Sequence, residues 1–176
     1  LRGVVTLPLV LPPVVGGAVL LFALGRRGLV GAPLANATGL VLPFSLAGVV
    51  VATTFVSMPF LVIVVEGALR NLDRRYEEAA ATLGAGPWSV IRRVTLPMIS
   101  SSLIAGLVLT WARAFGEFGA TITFAGNLQG RTQTLPLAVF VALESDRETA
   151  VAISLLMVAV ALGVLLLLKA HWWASR

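Results

Sequence analysis

Two long stretches without a charged residue constrain this chain more than any other feature of its sequence. They cover residues 4–24 and 40–65, and each is long enough to cross a bilayer as a helix, which takes about 20 apolar residues. The chain has 176 residues, of which 58% are hydrophobic and only 12% are charged. A soluble domain of this size would need more polar surface. The sequence therefore predicts one all-α polytopic membrane domain over residues 1–176.

Two further apolar segments complete a prediction of four spans. They cover residues 98–125 and 150–168. The first of them contains Arg113 and Glu117, which lie four residues apart and would share one face of a continuous helix. Ionisable groups inside a span are costly and usually face a partner or a water-filled path. The pair is either a structural ion pair or part of such a path.

Prolines interrupt the first predicted span. Pro8, Pro12 and Pro13 lie within residues 4–24, and each removes a backbone donor and bends a helix. In lipid, such breaks persist only where other groups satisfy the freed carbonyls. The segment is either a kinked span or a broken helix that lines a pathway.

The loop at residues 66–97 is the most charged part of the chain and contains five arginines. By the positive-inside rule this loop is predicted to be cytoplasmic. Four spans place the C-terminal tail, with Lys169 and Arg176, on the same side of the membrane. They place Arg26 and Arg27 outside, against the rule.

The same loop encodes a short helix, a glycine turn and a second helix. Residues 73–83 are rich in helix formers, with acidic residues near the start. Gly84 and Pro87 follow as stop signals, and a second helix is predicted from residue 88 to 95. Three alanines, residues 79–81, leave the first helix with little side-chain bulk. This segment is interpreted either as a helix that docks against a partner or as a solvated amphipathic loop.

A spaced motif within this loop resembles a known family. It consists of Glu-Ala-Ala, three residues, Gly, nine residues, Val, one residue and Leu-Pro, at Glu78, Ala79, Ala80, Gly84, Val94, Leu96 and Pro97. This spacing resembles the EAA loop of bacterial ABC importer permeases, with Val94 replacing the usual isoleucine. The resemblance implies that this segment forms a coupling helix seated in an ATPase subunit.

Other segments are similar to molybdate permeases of the same family. They include residues 7–15, 25–28, 112–121 and 124–136. The resemblance implies a type I importer permease bundle in the bacterial inner membrane, working as a homodimer with ABC ATPase subunits. It also implies a periplasmic or lipoprotein molybdate-binding protein as partner. Such permeases carry at least one further N-terminal span, so the chain is expected to be a fragment.

Pathway residues are predicted from chemistry and predicted topology together. The candidates are the charged pair of the third span, the prolines of the first span and two polar residues of the external segment 121–134: Arg113, Glu117, Pro12, Pro13, Asn127 and Arg131. In this interpretation Arg113 guides an oxyanion, and the external segment contacts either the anion or the binding protein. A solvated external loop is the alternative for that segment.

Several other functions find little support in the sequence. There is no cysteine, and the single histidine, His171, cannot form a metal site by itself. No phosphate-binding loop is present, so ATP and Mg²⁺ are expected in the partner subunit and no cofactor in this chain. The net charge of +5 is not arranged as a nucleic-acid patch. Sulfate, thiosulfate or tungstate remain alternative cargoes. An ion-coupled secondary transporter and a membrane enzyme are alternatives from other classes.

Overall fold

The chain is helical throughout the part that its computed structural model describes, which is residues 2–174, with side chains at residues 3 and 5–168. No strand occurs within those residues, so the all-α prediction is confirmed. The first half contains α1 (Arg2–Val10), α2 (Pro13–Leu24), α3 (Gly31–Thr38), α4 (Leu46–Arg70) and α5 (Arg75–Thr82). The second half contains α6 (Pro87–Val90), a π-helical segment (Ile91–Thr95), α7 (Leu96–Met98), α8 (Ser100–Phe115), α9 (Gly119–Phe124), α10 (Leu135–Ser145) and α11 (Arg147–Ala174).

The long apolar helices differ in number from the four predicted spans. Among the described residues, α4 and the Arg147–Leu168 part of α11 are each long and apolar enough to cross a membrane. A third candidate consists of Pro87–Met98 and Ser100–Phe115, which meet at a bend of 72°. The predicted tail with Lys169, His171, Trp172, Trp173 and Arg176 lies outside the described side chains.

The first predicted span, residues 4–24, is two helices rather than one. The break falls at Leu11 and Pro12, between α1 and α2. Pro13 opens α2 at a position where a helix needs no backbone donor. Gly16 then donates to the carbonyl of Pro12 (3.0 Å), which satisfies one group at the break. The prolines therefore separate two helices instead of bending one.

The third predicted span, residues 98–125, is also divided. Helix α8 ends at Phe115 and α9 begins at Gly119. Glu117 lies in the intervening residues and not on α8. The prediction that Arg113 and Glu117 share one helical face is therefore wrong, because the helix ends between them.

The chain forms two compact units, which consist of residues 1–11 with 54–115, and residues 12–53 with 116–176. In the first unit, α8 approaches the C-terminal part of α4 at Gly106. A Cβ atom at Gly106 would lie 3.0 Å from Leu61 and 3.2 Å from Val64. The missing side chain thus lets the two helices pack closely, as small residues do in membrane bundles.

In the second unit, α2 packs against the short helix α9 through glycines on both sides. A Cβ atom at Gly17 would lie 2.8 Å from the carbonyl oxygen of Ala120 and 2.8 Å from the Cβ of Thr123. A Cβ atom at Gly119 would lie 3.0 Å from Pro13. Phe124, at the end of α9, is fully buried. This contact holds the non-helical residues 116–118 beside the start of α2.

Asp146 caps the longest helix, α11. Its Oδ1 accepts hydrogen bonds from the backbone N–H groups of Glu148 (3.1 Å) and Thr149 (3.2 Å), and its Oδ2 accepts one from the Thr149 hydroxyl. The hydroxyl bond is the main cause that lowers the pKa of Asp146 below its usual value. The cap is therefore present above the ordinary pKa of an aspartate and is lost as the pH falls through the lowered value.

We expect Gly17→Ala to destabilise the protein, because the added methyl group has no space against the backbone of Ala120. Overpacking of this kind costs roughly 1–3 kcal/mol. The matched control is Gly163→Ala in α11, where nothing lies within 4 Å of the added atom. That change should be neutral or should stabilise the helix by about 0.5–1 kcal/mol. Thermal unfolding in detergent compares the two, and equal melting temperatures would contradict the close packing of α2 on α9.

Candidate coupling site

Helix α4 passes into the charged loop through a short, hydrogen-bonded turn. Arg70, in the last turn of α4, forms an ion pair with Glu66 at 3.1 Å. Asp73 then accepts a hydrogen bond from the backbone N–H of Arg75 (3.0 Å). Helix α5 begins at Arg75, two residues later than the sequence predicted. The start of the loop is thus fixed by local side-chain bonds, as expected for Asp at the start of a helix.

Gly84 ends α5 in the left-handed conformation, with φ at +85°. Its N–H donates to the carbonyl of Ala81 (2.9 Å), and the N–H of Ala85 donates to that of Ala80 (3.1 Å). This pair of bonds is the Schellman motif, which satisfies the last carbonyls of a helix and favours glycine. The predicted glycine stop is present, and it turns the chain sharply after α5.

One side of α5 exposes apolar groups to solvent. Tyr76, Ala79 and Leu83 are spaced by three and four residues, so they form one stripe along the helix. All three are exposed, Leu83 to 88% and Tyr76 to 57%. We call these three residues the exposed stripe. Glu78 lies exposed beside it, whereas Ala80 is partly buried. Exposed apolar groups of this extent mark surfaces that meet another molecule.

A hydrogen bond connects α5 to the second half of the loop. The hydroxyl of Thr95 donates to the carboxylate of Glu77 at 2.5 Å, and Thr95 is buried. The sequence did not predict this bond, because Glu77 and Thr95 lie on separate helical segments, and how these pack depends on the turn between them. The bond fixes α5 against the π-helical segment just before Leu96 and Pro97.

The second helix of the loop is longer and less regular than predicted. It runs as α6, the π-helical segment and α7 from Pro87 to Met98, beyond the predicted end at residue 95. Pro97 lies inside it and cannot donate to a preceding carbonyl. Short π-helical segments are rare and often occur at functional sites. Leu96 is exposed and Pro97 follows it, so the structure places both at the entrance to α8.

The structure brings Pro13 and Glu117 into the same unit, around the start of α9. Glu117 is only 2% exposed, and its carboxylate accepts a hydrogen bond from the backbone N–H of Ala120 at 2.7 Å. A carboxylate suits the first turn of a helix, where backbone donors are free. Pro12 is exposed at the break that precedes α2. Arg113 lies partly buried in the last turn of α8, in the other unit.

Asn127 and Arg131 lie in a tight loop between α9 and α10. The carbonyl of Leu128 accepts hydrogen bonds from the N–H groups of Arg131, Thr132 and Gln133, and Leu128 itself donates to the Thr132 hydroxyl (3.0 Å). Arg131 is exposed at the tip. The side-chain oxygens of Asn127 and Thr134 are buried without a hydrogen bond in the described part of the chain. Within that part, no three His, Asp or Glu residues cluster as metal ligands.

We expect Gly84→Ala to weaken the end of α5, because a residue with a Cβ atom pays about 1–2 kcal/mol in the left-handed conformation. No atom lies within 4 Å of the added methyl group, so the cost is conformational. Gly86→Ala is the matched control, since Gly86 has an ordinary φ of −67° and equal space. Hydrogen exchange of residues 78–85 measures the effect. Equal protection in the two variants would contradict the role of Gly84 as a helix cap.

Curated relatives match almost the whole chain. A protein of Mycobacterium tuberculosis named "Molybdenum transport system permease protein ModB" is 55% identical over 166 residues, which cover 94% of this chain and 62% of the relative. The protein of the same name in Escherichia coli is 42% identical over 174 residues, which cover 99% of this chain and 76% of the relative. A protein of Chlamydomonas reinhardtii named "Sulfate permease 2, chloroplastic" is 45% identical over 166 residues, which cover 94% of this chain and 45% of the relative. The chain thus spans about three-fifths of the mycobacterial relative.

A family described as "Binding-protein-dependent transport system inner membrane component" matches residues 1–171. The match includes the Glu78–Pro97 motif, the glycine contacts of α2 and α9, and the apolar helices α4 and α11. The resemblance inferred from the loop spacing is therefore confirmed. Together with the relatives above, it shows that the chain belongs to the family of inner membrane components of binding-protein-dependent transport systems.

Proposed function

We propose that this chain is the permease subunit of a molybdate importer driven by ATP hydrolysis in a partner subunit. The observation that carries the proposal is α5, a short helix whose exposed stripe is not covered by any of the residues that the structure describes. A helix that ends in a rigid glycine cap and exposes apolar groups has the form needed to seat in a groove of another protein. The partner supplies ATP binding, since this chain has no phosphate-binding loop.

The docking core consists of Glu78, Ala79, Ala80 and Gly84, with Leu83 as its most exposed apolar group. Small alanine side chains let the helix backbone approach the partner closely. Leu83 supplies apolar area that the partner would remove from water. Glu78 is exposed on the same helix and is available to a cation of the ATPase.

Movement of the docking helix would reach the membrane through the bond between Glu77 and Thr95. That bond joins α5 to the π-helical segment, which leads through Leu96 and Pro97 to the 72° bend before α8. When the ATPase subunits close on ATP, α5 moves with them, and the bond carries the displacement to α8. The resulting mechanism is alternating access between the two sides of the membrane.

The pathway is proposed to involve the breaks in the helices. Pro12 and Pro13 separate α1 from α2, and Glu117 lies in the gap between α8 and α9. Non-helical backbone at membrane depth is tolerated where it lines a polar path or is buried in protein. Arg113, Asn127 and Arg131 add donors that suit an oxyanion.

The proposed topology places the coupling loop and the C-terminus in the cytoplasm. The loop carries five arginines, which agrees with the positive-inside rule. A molybdate-binding protein then delivers cargo at the opposite face, near residues 121–134. Two copies of the permease, embedded in lipid, would form the translocation unit with a pair of ATPase subunits.

Sulfate is the second candidate for the cargo. The observation that favours it is the 45% identity to the algal protein whose name specifies sulfate. Molybdate and sulfate are both tetrahedral dianions, so the same donors serve either. The higher identity to the mycobacterial molybdenum protein and the fuller coverage of the bacterial relatives favour molybdate.

The test of the proposal is ATP hydrolysis by the complete permease–ATPase complex in nanodiscs. We expect the molybdate-loaded binding protein to stimulate hydrolysis more strongly than the empty one or a sulfate-loaded binding protein. Stimulation by the sulfate-loaded protein alone would transfer the assignment to sulfate. Failure of any candidate ATPase to co-purify with the permease would contradict the proposal as a whole.

In the same experiment Leu83→Asp serves as the probe of docking, because a carboxylate buried in an apolar contact is strongly unfavourable. We expect affinity for the ATPase to fall by about tenfold or more, a loss of about 1.4 kcal/mol or greater. Leu29→Asp is the matched control, since Leu29 is 91% exposed and lies outside the coupling loop. Both variants should keep the wild-type melting temperature.

A second prediction concerns the transmission of movement. Thr95→Val removes the hydrogen bond to Glu77 while it keeps the size of the side chain, and the loss of a bond to a charged group costs about 1.5–3 kcal/mol. We expect ATP hydrolysis to continue while molybdate uptake per ATP falls. Thr110→Val is the control, because among the described residues the Thr110 hydroxyl bonds only the carbonyl of Gly106 in its own helix (2.8 Å). Unchanged uptake per ATP in Thr95→Val would refute the role of this bond.

A further inference from the structure

A pocket of about 600 Å³ lies at the end of α2, away from the coupling loop in the sequence. Two arginines and one asparagine supply its polar lining, together with small and apolar residues: Arg26, Arg27, Ala35, Asn36, Gly39 and Val41. None of these residues belongs to the coupling site or to the proposed pathway. The pocket is half-enclosed, so a small ligand can enter it from solvent.

A tight turn holds the two arginines side by side. The carbonyl of Gly25 accepts a hydrogen bond from the N–H of Gly28 at 2.8 Å. Arg26 and Arg27 are therefore the two central residues of a four-residue turn. The turn is folded back on α2, since the N–H of Val30 donates to the carbonyl of Ala23 (2.9 Å). Both guanidinium groups thus extend from one short, hydrogen-bonded segment.

Glycine is required for this turn. A Cβ atom at Gly28 would lie 2.5 Å from the carbonyl oxygens of Phe22 and Ala23. A Cβ atom at Gly31 would lie 2.0 Å from the carbonyl oxygen of Gly25. No side chain fits at either position without a shift of the backbone. The glycines therefore fix the backbone path of the turn, from which the exposed side chains of Arg26 and Arg27 extend into the lining of the pocket.

The charge in the pocket is unbalanced. No acidic residue lines it, and neither Arg26 nor Arg27 has an ion-pair partner among the described residues. Both positive charges belong to the lining of one pocket, and an anion bound there would offset them. Asn36 adds amide donors on the facing helix α3.

These arginines also oppose the usual distribution of charge in membrane proteins. In the proposed topology α4 separates them from the cytoplasmic loop, so they face the external side, where arginine is disfavoured.

We infer that this pocket binds a tetrahedral oxyanion through Arg26, Arg27 and Asn36. The planar forks of arginine match the oxygens of such an anion and bind them in pairs. Two sources supply this chemistry: a free anion such as molybdate, sulfate or phosphate, and the phosphate of an anionic lipid headgroup. The inference rests on the lining of the pocket, and only the argument from the side of the membrane rests on the proposed function.

The test uses the complete permease–ATPase complex without a binding protein and without ATP. The variant Arg26→Gln with Arg27→Gln removes both charges and leaves the backbone bonds of the turn in place. Arg147→Gln is the matched control, because Arg147 is an exposed arginine on the same predicted side and lies outside every site described above. Arg26→Lys with Arg27→Lys keeps the charges and removes the planar forks.

One arm measures equilibrium binding of radiolabelled sulfate and molybdate to the complex in nanodiscs of phosphatidylcholine. The other measures, by native mass spectrometry, how much phosphatidylglycerol the complex retains from mixed membranes. We expect one of these ligands to bind wild type and Arg147→Gln equally. Its affinity should fall about tenfold or more in the double glutamine variant, since charge-assisted bonds are lost. The double lysine variant should show intermediate affinity.

The two arms identify the source and can overturn the inference. Loss of anion binding in phosphatidylcholine assigns a free oxyanion, and loss of retained phosphatidylglycerol assigns a lipid headgroup. If neither ligand distinguishes the double glutamine variant from wild type, the inference is wrong. It is also wrong if Arg147→Gln lowers the binding of the same ligand as much as the double glutamine variant does, since the effect would then come from net charge and not from this pocket. Normal ATPase docking in all variants separates these results from a failure of the proposed function.

Discussion

Backbone hydrogen bonding in an apolar solvent is the constraint on which the rest of this structure depends. Inside a membrane, every N–H and C=O group must find a partner within the protein. The chain meets most of this demand with the long helices α4 and α11, although Pro59 inside α4 supplies no backbone donor. Where it departs from helix, specific residues satisfy the freed groups. Glu117 accepts the N–H of Ala120 at the start of α9, and Gly16 bonds the carbonyl of Pro12 at the start of α2.

Glycine-mediated packing makes these departures from helix stable. Gly17 and Gly119 let α2 and α9 approach until backbone meets backbone. Close contact of this kind gains van der Waals energy that lipid cannot supply in the same way. The short helix α9, with only six residues, would not persist by itself in the absence of this contact. The glycines thus support an irregular segment that carries a buried carboxylate.

The charged loop at residues 66–97 follows a different principle, since most of its side chains are exposed. Its stability comes from local caps and from one longer bond, between Glu77 and Thr95. Its apolar groups at Tyr76 and Leu83 stay exposed. A protein that rests on membrane helices can retain such a surface, because its fold does not depend on burying it. The loop therefore combines internal hydrogen bonds with an exposed apolar stripe, and these are the two features on which the proposed coupling role rests.

The sequence by itself determined the all-α class, the charged loop and the spaced motif from Glu78 to Pro97. These follow from local properties: apolar run length, charge and the glycine and proline signals at Gly84 and Pro87. The prolines at 12 and 13 also predicted an interruption, but the sequence left open whether it is a kink in one helix or a break between two. Local signals of this kind act through the backbone of neighbouring residues and need no knowledge of the fold.

Only the tertiary structure decided which distant residues meet. It ended α8 before Glu117, so that helical spacing from Arg113 no longer applied. Glu77 is hydrogen-bonded to Thr95, and Gly17 lies against Ala120. The turn that contains Arg26 and Arg27 lines a pocket. Each of these outcomes depends on packing between segments that are far apart or on the exact path of a turn. A pattern of residue types along one helix contains no information about either.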